Sequence, residues 1–175
     1  DLISYDLPDL DVTDHESTQR LVQAAGAQMV IHCAAFTDVD GCALDPRKAQ
    51  LVNAVGTRNV ARACADADAT MVLISSNEVF DGTKREPYCE FDPPNPTSAY
   101  GESKLAAELH TQRLLTHFYI VRTSWIYAAR GSNFIHRIQE LADQQETLSV
   151  VTDELGVPTW SEDLAPAILE LTKSE

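Results

Sequence analysis

Short, almost continuously apolar segments alternate with helix-patterned segments along this chain, and this alternation constrains the fold more than any other feature. Residues 29–34 and 70–74 are apolar over nearly their whole length, which is typical of strands covered on both faces of a parallel sheet. Segments with helical periodicity separate them. The sequence therefore predicts βαβ units and an α/β fold, a Rossmann-like parallel sheet with helices on both faces.

The same patterns predict the positions of the individual elements. Strands are expected at 2–5, 29–34, 70–74, 118–121 and 148–151, and helices at 17–25, 46–65, 98–115, 133–142 and 163–171. Gly26 ends the first helix, and Ser161 or Glu162 is expected to cap the last one. Three prolines within residues 93–96 make that segment a loop, because proline is excluded from helix interiors.

Size and charge limit the classes of partner. The chain has 175 residues, 44% of them hydrophobic and 23% charged, which suits one globular domain. Its formal net charge is −14, which argues against nucleic acid or an anionic membrane as partner, because both attract basic patches. No apolar run approaches the roughly 20 residues of a membrane span, and no secretory signal pattern is visible. We therefore expect a cytoplasmic protein.

The cysteines and histidines show no pattern of a metal site or a disulfide framework. The four cysteines form no CxxC pair, and no histidine lies near them at zinc-site spacing. Cys33 and Cys64 are expected to be buried free thiols, as in a reducing cytoplasm. We expect no bound metal.

Tyr100 and Lys104 are candidates for proton-transfer chemistry. Residues four apart share a face of a helix, so the ammonium would lie near the phenol and lower its pKa. Ser76, at the end of a predicted strand, could supply a hydroxyl to the same place, because ligands of parallel sheets bind beyond the carboxyl ends of strands. Alone, the Tyr-x-x-x-Lys spacing is equally compatible with an amphipathic helix face that carries a solvated lysine.

Longer stretches resemble the extended short-chain dehydrogenase/reductases, and within them the dTDP-4-dehydrorhamnose reductase family. The matches keep the order of the family's motifs over nearly the whole chain. They are DVTD at 11–14, HCAAFTDVD at 32–40, VNAVGT at 52–57, VFDGT at 79–83, PPNP at 93–96, YGESKL at 100–105, RTSWIY at 122–127 and GVPTW at 156–160.

The resemblance implies a role for each matching position. Tyr100 would donate the proton to the substrate carbonyl, Lys104 would bind the nicotinamide ribose and lower the Tyr100 pKa, and Ser76 would hold the reacting oxygen. The cofactor would be NADPH or NADH, and the substrate a nucleotide sugar with a keto group at C4. The implied cofactor-binding residues are Asp6, Asp11, Val12, Ala34, Ala35, Phe36, Tyr100 and Lys104, and the implied substrate-binding residues are Ser76, Asn77 and Trp125.

The chain departs from the family's pattern in two ways. Where the family usually reads Ser-Thr-Asp-Tyr, residues 75–78 read Ser-Ser-Asn-Glu, which leaves the exact sugar open. The family's first strand and its Gly-x-x-Gly-x-x-Gly turn, which places the pyrophosphate at a helix N-terminus, have no counterpart here. We expect one partial domain over 1–175, with substrate-pocket elements from about 123 to 160 and an incomplete C-terminal substrate domain. We also expect poor dinucleotide binding by these residues alone.

Two further functions remain open at this point. The chain could be a non-catalytic subunit on the same fold, like the regulatory subunit of methionine adenosyltransferase, although Ser76, Tyr100 and Lys104 favour an enzyme. It could also be an epimerase or dehydratase of the extended family, for which Asn77 and Glu78 supply half of the expected acid/base carboxylate pair. A homodimer is possible.

Overall fold

The computed structural model describes residues 2–131 and 133–173. Its strands are β1 (Met29–His32), β2 (Thr70–Ser76), β3 (Phe118–Thr123), β4 (Ile126–Tyr127) and β5 (Thr159–Trp160). Its α-helices are α1 (His15–Ala25), α2 (Val39–Leu44), α3 (Pro46–Ala49), α4 (Gly56–Ala67), α5 (Ala99–Leu114), α6 (Phe134–Gln144) and α7 (Ser161–Leu171). A π-helical segment, Gln50–Val55, joins α3 to α4, and a 3₁₀ turn, Asn77–Val79, follows β2.

Local capping explains why the major helices begin and end where they do. The Asp14 carboxylate accepts hydrogen bonds from the first backbone N–H groups of α1, and Gly26 ends that helix with φ at 56°. Ser98 caps α5 by accepting a hydrogen bond from the Gly101 N–H. Each cap satisfies backbone groups that a helix end leaves unpaired, and the predicted bounds of both helices are confirmed to within two residues.

The larger sheet has the order β1-β2-β3. β1 pairs in parallel with β2, with Met29 opposite Thr70 and His32 opposite Leu73. β4 and β5 form a separate parallel pair. The predicted α/β class with a parallel sheet is confirmed.

The main core lies between the sheet and its helices. α1 packs on α4, α4 packs on α5, and α5 packs on β2. The buried apolar side chains of this core are Val12, Val60, Ala61, Cys64, Ala69, Met71, Leu73, Ala107 and Leu115.

Two predicted strands are wrong. Residues 2–5 and 148–151 have apolar sequences but form no strand, and Leu2 and Val151 are 91% and 66% exposed. A strand requires a hydrogen-bonded neighbour, and in the described part of the chain neither segment has one. Apolar patterning alone did not reveal this.

Two helical predictions also need correction, and one helix was not predicted. The single helix expected at 46–65 is divided by the π-helical segment, and α2 was not predicted. Neither Ser161 nor Glu162 caps α7, because both lie inside that helix, and Trp160 precedes it without a side-chain cap. The chain enters α7 directly from β5, so no separate capping residue intervenes.

The chain divides into two compact units, Asp1–Arg122 and Thr123–Glu175. The sequence predicted one partial domain with substrate-pocket elements from about residue 123. The second unit begins at that position, and its contribution to a substrate pocket stays a prediction.

The cysteines are free, and Cys42 and Cys64 are buried. Cys33 is exposed, contrary to expectation, because β1 ends at His32 and Cys33 begins the loop. No helix within 2–131 and 133–173 is long and apolar enough to cross a membrane.

Candidate active site

The α5 helix presents Tyr100, Lys104 and Glu108 along one face, one helical turn apart. This face packs against β2, so Lys104 is 3% and Glu108 1% exposed, while Tyr100 is half-buried. Gly101 permits the close approach of α5 to the 3₁₀ turn, because a Cβ at this position would overlap the Glu78 carbonyl oxygen. The predicted Tyr-x-x-x-Lys spacing therefore lies on a helix whose reactive face is buried.

Ser76 and Tyr100 are brought together as the sequence predicted. Ser76 ends β2 and is 6% exposed, and its side chain lies near the Tyr100 phenol, whose pKa it lowers. The Ser76 Oγ also accepts a hydrogen bond of 3.1 Å from the Glu78 N–H and lies 3.4 Å from Asn77 Oδ1. The 3₁₀ turn thus fixes the hydroxyl at the strand end, next to the phenol.

The pKa of Tyr100 differs from the expectation. Burial raises the pKa of the phenol and outweighs the interaction with the Ser76 side chain, which lowers it. The expected lowering by Lys104 was wrong for this arrangement, because the Lys104 ammonium points to the strand. Its Nζ donates a hydrogen bond of 2.7 Å to the Ile74 carbonyl.

Lys104 is a buried cation. Burial lowers the pKa of its ammonium to about 8, while the charges of Glu108 and Cys33 oppose that shift. A lysine with a pKa near neutrality is typical of functional sites. Burial of a lysine for purely structural reasons also lowers its pKa.

Asn53 is a residue of this site that sequence reasoning missed. Its side-chain amide accepts a hydrogen bond of 2.7 Å from the Phe36 N–H and donates one of 3.0 Å to the Phe36 carbonyl. It also donates to Ser103 Oγ, which in turn donates to the Tyr100 carbonyl. Asn53 therefore ties the loop after β1 to the helix that carries Tyr100.

The π-helical segment places Asn53 where it can make these bonds. Such segments are rare and often lie at functional sites. The Thr57 hydroxyl donates a hydrogen bond of 2.6 Å to the Asn53 carbonyl, so the 3.0 Å contact between Thr57 Oγ1 and His32 Nε2 requires the histidine to donate. Burial lowers the pKa of His32 to about 3, consistent with this neutral form. The available sequence signals were an asparagine between apolar neighbours at 51–55 and its place in the VNAVGT stretch.

The remaining predicted cofactor-binding residues lie at two places. Ala34, Ala35 and Phe36 follow β1, and the Lys48 ammonium lies 4.4 Å from the centre of the Phe36 ring. Val12 is buried against Gly56 and its carbonyl accepts a hydrogen bond from Asn59. Two exposed carboxylates complete the set: Asp11 accepts hydrogen bonds from Thr13, and Asp6 accepts one from the Leu7 N–H. The roles of all these residues stay predictions.

Trp125 belongs to the second compact unit and is held in an uncommon backbone conformation. Its φ is 45°, in the left-handed region that is costly for a bulky residue. A Cβ at Gly156 would come within 2.5 Å of the indole, and the Trp125 carbonyl accepts a hydrogen bond from the Thr159 N–H. The ring thus occupies a defined position over Gly156, 45% exposed.

Within residues 2–131 and 133–173, no group of three or more histidines, cysteines, aspartates and glutamates could hold a metal ion. The side chains that meet around Ser76 and Tyr100 are instead a hydroxyl, a phenol and a buried ammonium. This set can hold a carbonyl oxygen and transfer a proton to it.

Comparison with known proteins identifies the family. The family model described as the RmlD substrate binding domain matches residues 1–175. The chain belongs to this family.

Individual members of the RmlD family carry related names. A dTDP-4-dehydrorhamnose reductase of Mycolicibacterium smegmatis is 39% identical over 92% of this chain and 49% of its own length. A dTDP-4-keto-6-deoxy-D-glucose reductase of Streptomyces niveus is 39% identical over 94% of this chain and 58% of its own length. The crystal structure of a dTDP-4-dehydrorhamnose reductase from Bacillus anthracis, in complex with NADP, superposes with a TM-score of 0.94 at 39% identity, covering 99% of this chain and 62% of that one. The chain spans about half the length of the curated relatives that it matches.

Proposed function

We propose that the protein to which this chain belongs reduces the C4 keto group of a dTDP-4-keto-6-deoxy sugar, converting dTDP-4-dehydrorhamnose to dTDP-L-rhamnose. The observation that carries the proposal is the placement of the Ser76 side chain, at the end of β2, near the Tyr100 phenol, with Lys104 one turn further along the same helix face. The names of the relatives support the same reaction.

Each of the three side chains has a separate role in this proposal. Tyr100 donates its phenolic proton to the carbonyl oxygen, and the Ser76 hydroxyl holds that oxygen beside the phenol. Burial raises the pKa of Tyr100, so near neutral pH the phenol carries the proton that reduction consumes. The Lys104 ammonium, which donates to the Ile74 carbonyl, is the proposed partner of the nicotinamide ribose hydroxyls.

NADPH or NADH is the proposed cofactor, and it would supply the hydride. The end of β1 fits its nicotinamide ribose, because Ala34 and Ala35 have small side chains and the preceding Cys33 interacts with the Lys104 ammonium. The B. anthracis relative was solved with NADP. No Gly-x-x-Gly-x-x-Gly turn for the pyrophosphate occurs among the 175 residues.

Several finer features belong to the same proposal. Asn77 and Trp125 would contact the nucleotide sugar, and the substitutions at residues 77 and 78 would adjust the choice of sugar. We place the enzyme in the cytoplasm and suggest a homodimer. A non-catalytic regulatory role would make no use of the Ser76–Tyr100 pair, and an epimerase or dehydratase would lack a second carboxylate at Asn77.

The deciding experiment measures NADPH or NADH consumption by the full-length protein with dTDP-4-dehydrorhamnose. We expect turnover, and a fall in kcat of about 100-fold or more in Tyr100→Phe, because the proton donor is removed. Tyr5→Phe, which removes an exposed phenol, is the matched control and should leave kcat unchanged. No turnover by the unmodified protein, or full activity of Tyr100→Phe, would contradict the proposal.

A further inference from the structure

Two polar side chains, one from β2 and one from β3, meet at a buried carboxylate on α5. Glu108 of α5 is 1% exposed. It accepts two hydrogen bonds from Arg122 of β3, from Nε at 3.0 Å and from Nη2 at 2.7 Å, and a third from Ser75 of β2. A buried charge persists only when it is paired in this way, and these three hydrogen bonds hold the Glu108 carboxylate in one position.

This carboxylate lies one helical turn from Lys104. Both side chains are anchored to consecutive residues of β2, because Lys104 Nζ donates to the Ile74 carbonyl and Glu108 accepts from the Ser75 hydroxyl. The position of Glu108 therefore sets a fixed negative charge beside a buried ammonium.

We propose that Glu108 is a positioning residue for the reductase site, which keeps the Lys104 amino group protonated and directed at the Ile74 carbonyl. Arg122 and Ser75 hold Glu108 in place for this purpose. That Glu108 serves catalysis rests on the proposed function. The effect of Glu108 on the protonation of Lys104 does not depend on that function.

The other titratable groups that act on Lys104 do not supply this charge near neutral pH. Although Cys33 is exposed, desolvation by neighbouring atoms raises the pKa of its thiol, so the thiol is neutral there. His32 is buried and neutral, with its pKa lowered to about 3, and Tyr100 is a neutral phenol. Arg122, which binds Glu108 through two hydrogen bonds, carries a positive charge and therefore acts on Lys104 in the opposite direction.

A purely structural role for Glu108 predicts different results. If the ion pair only held α5 against β3, then removing either partner would lower stability and leave the titration of Lys104 unchanged. If the charge of Glu108 acts on Lys104, removal of Glu108 and removal of Arg122 shift the Lys104 pKa in opposite directions. Loss of the carboxylate charge disfavours the ammonium, whereas loss of the guanidinium favours it.

The test compares Glu108→Gln, Arg122→Gln and Glu102→Gln in the full-length protein. We expect the alkaline limb of the kcat/KM profile to move down by about one pH unit in Glu108→Gln and up in Arg122→Gln, since a nearby charge shifts a pKa by this order. Glu102 lies on the same helix and is exposed, so Glu102→Gln should leave the limb in place. An unshifted limb in Glu108→Gln would overturn the proposal.

A second measurement separates this inference from the proposed reaction. NMR titration of the lysine amino nitrogens follows Lys104 directly, with Lys104→Arg to assign its signal. A downward shift of its titration in Glu108→Gln supports the inference even if the unmodified protein shows no reductase activity, which would contradict only the proposed function. An unchanged Lys104 titration in a folded Glu108→Gln protein overturns the inference whatever the activity.

Discussion

At the scale of single residues, the candidate site is defined by groups that are costly to bury. The Lys104 ammonium is largely removed from water. In its place it has one hydrogen bond to the backbone and the nearby charge of Glu108. A functional role accounts for such an arrangement, because sites that need a reactive group often sacrifice stability for it.

Replacing Lys104 with methionine should therefore stabilise the fold while it removes activity. The lowering of the pKa from 10.5 to about 8 corresponds to roughly 3 kcal/mol at neutral pH, and loss of the Ile74 hydrogen bond offsets about 1 kcal/mol. Urea unfolding at pH 7 should show a gain of about 1–2 kcal/mol for Lys104→Met.

The pH dependence of this gain has a definite sign. Between pH 8 and about 10.4 the unfolded chain keeps the lysine proton and the folded chain has lost it, so the unfolding free energy of the unmodified protein rises with pH. The advantage of Lys104→Met should shrink across that window. Lys173→Met, at an exposed lysine, is the control, and an advantage that does not depend on pH would contradict the burial of a charged Lys104.

At the scale of elements, the site depends on how closely α5 approaches the 3₁₀ turn after β2. The Asn95 N–H donates to the Val79 carbonyl, which joins the proline-rich loop to this turn. Gly101 brings the helix backbone against Glu78. The distance between Ser76 and Tyr100 is thus set by contacts between backbones.

Gly101→Ala should separate these two elements. The added methyl group would overlap the Glu78 carbonyl, which belongs to the backbone and cannot rotate away. We expect a loss of about 1–3 kcal/mol of unfolding free energy, the range for overpacked sites, and a lower kcat because Tyr100 moves from Ser76. Thermal unfolding and steady-state kinetics measure the two effects.

Glu102→Ala provides the comparison for Gly101→Ala, since it alters the exposed neighbour on the same helix. It should leave both stability and kcat nearly unchanged. If Gly101→Ala and Glu102→Ala have the same unfolding free energy and the same kcat, the close approach at Gly101 is not important for either.

At the scale of the whole molecule, the described residues place the proposed proton-transfer site on a three-stranded sheet. Within 2–131 and 133–173, β1 pairs with β2 alone. Residues 2–5 are exposed and pair with no strand of that part of the chain. The polypeptide of residues 1–175 contains no glycine-rich turn for a pyrophosphate.

The polypeptide of residues 1–175 by itself should therefore bind NADPH and NADH with a Kd well above the micromolar range. The anionic pyrophosphate would lack the backbone N–H groups that normally neutralise it, and the net charge of −14 opposes its approach. Calorimetric titration measures this affinity, with the B. anthracis relative as positive control. Micromolar binding by residues 1–175 would contradict the prediction.

Some features of this protein follow from short-range interactions, so its sequence alone determined them. The Asp14 and Ser98 caps, the left-handed Gly26 and the apolar runs of β1 and β2 each depend on neighbours within a few residues. The same holds for Tyr100 and Lys104 on one helix face, because a spacing of four decides it wherever the helix lies.

Other features were decided only by tertiary structure, because they depend on what packs against a group. The apolar residues 2–5 and 148–151 form no strand without a hydrogen-bonded neighbour. Asn53 acquires its place in the site from a π-helical segment and from Phe36, seventeen residues away. Burial reverses the expected direction of the Tyr100 pKa, and Glu108 meets Arg122 across two elements. Desolvation and strand pairing are long-range effects, and no local pattern in the chain records them.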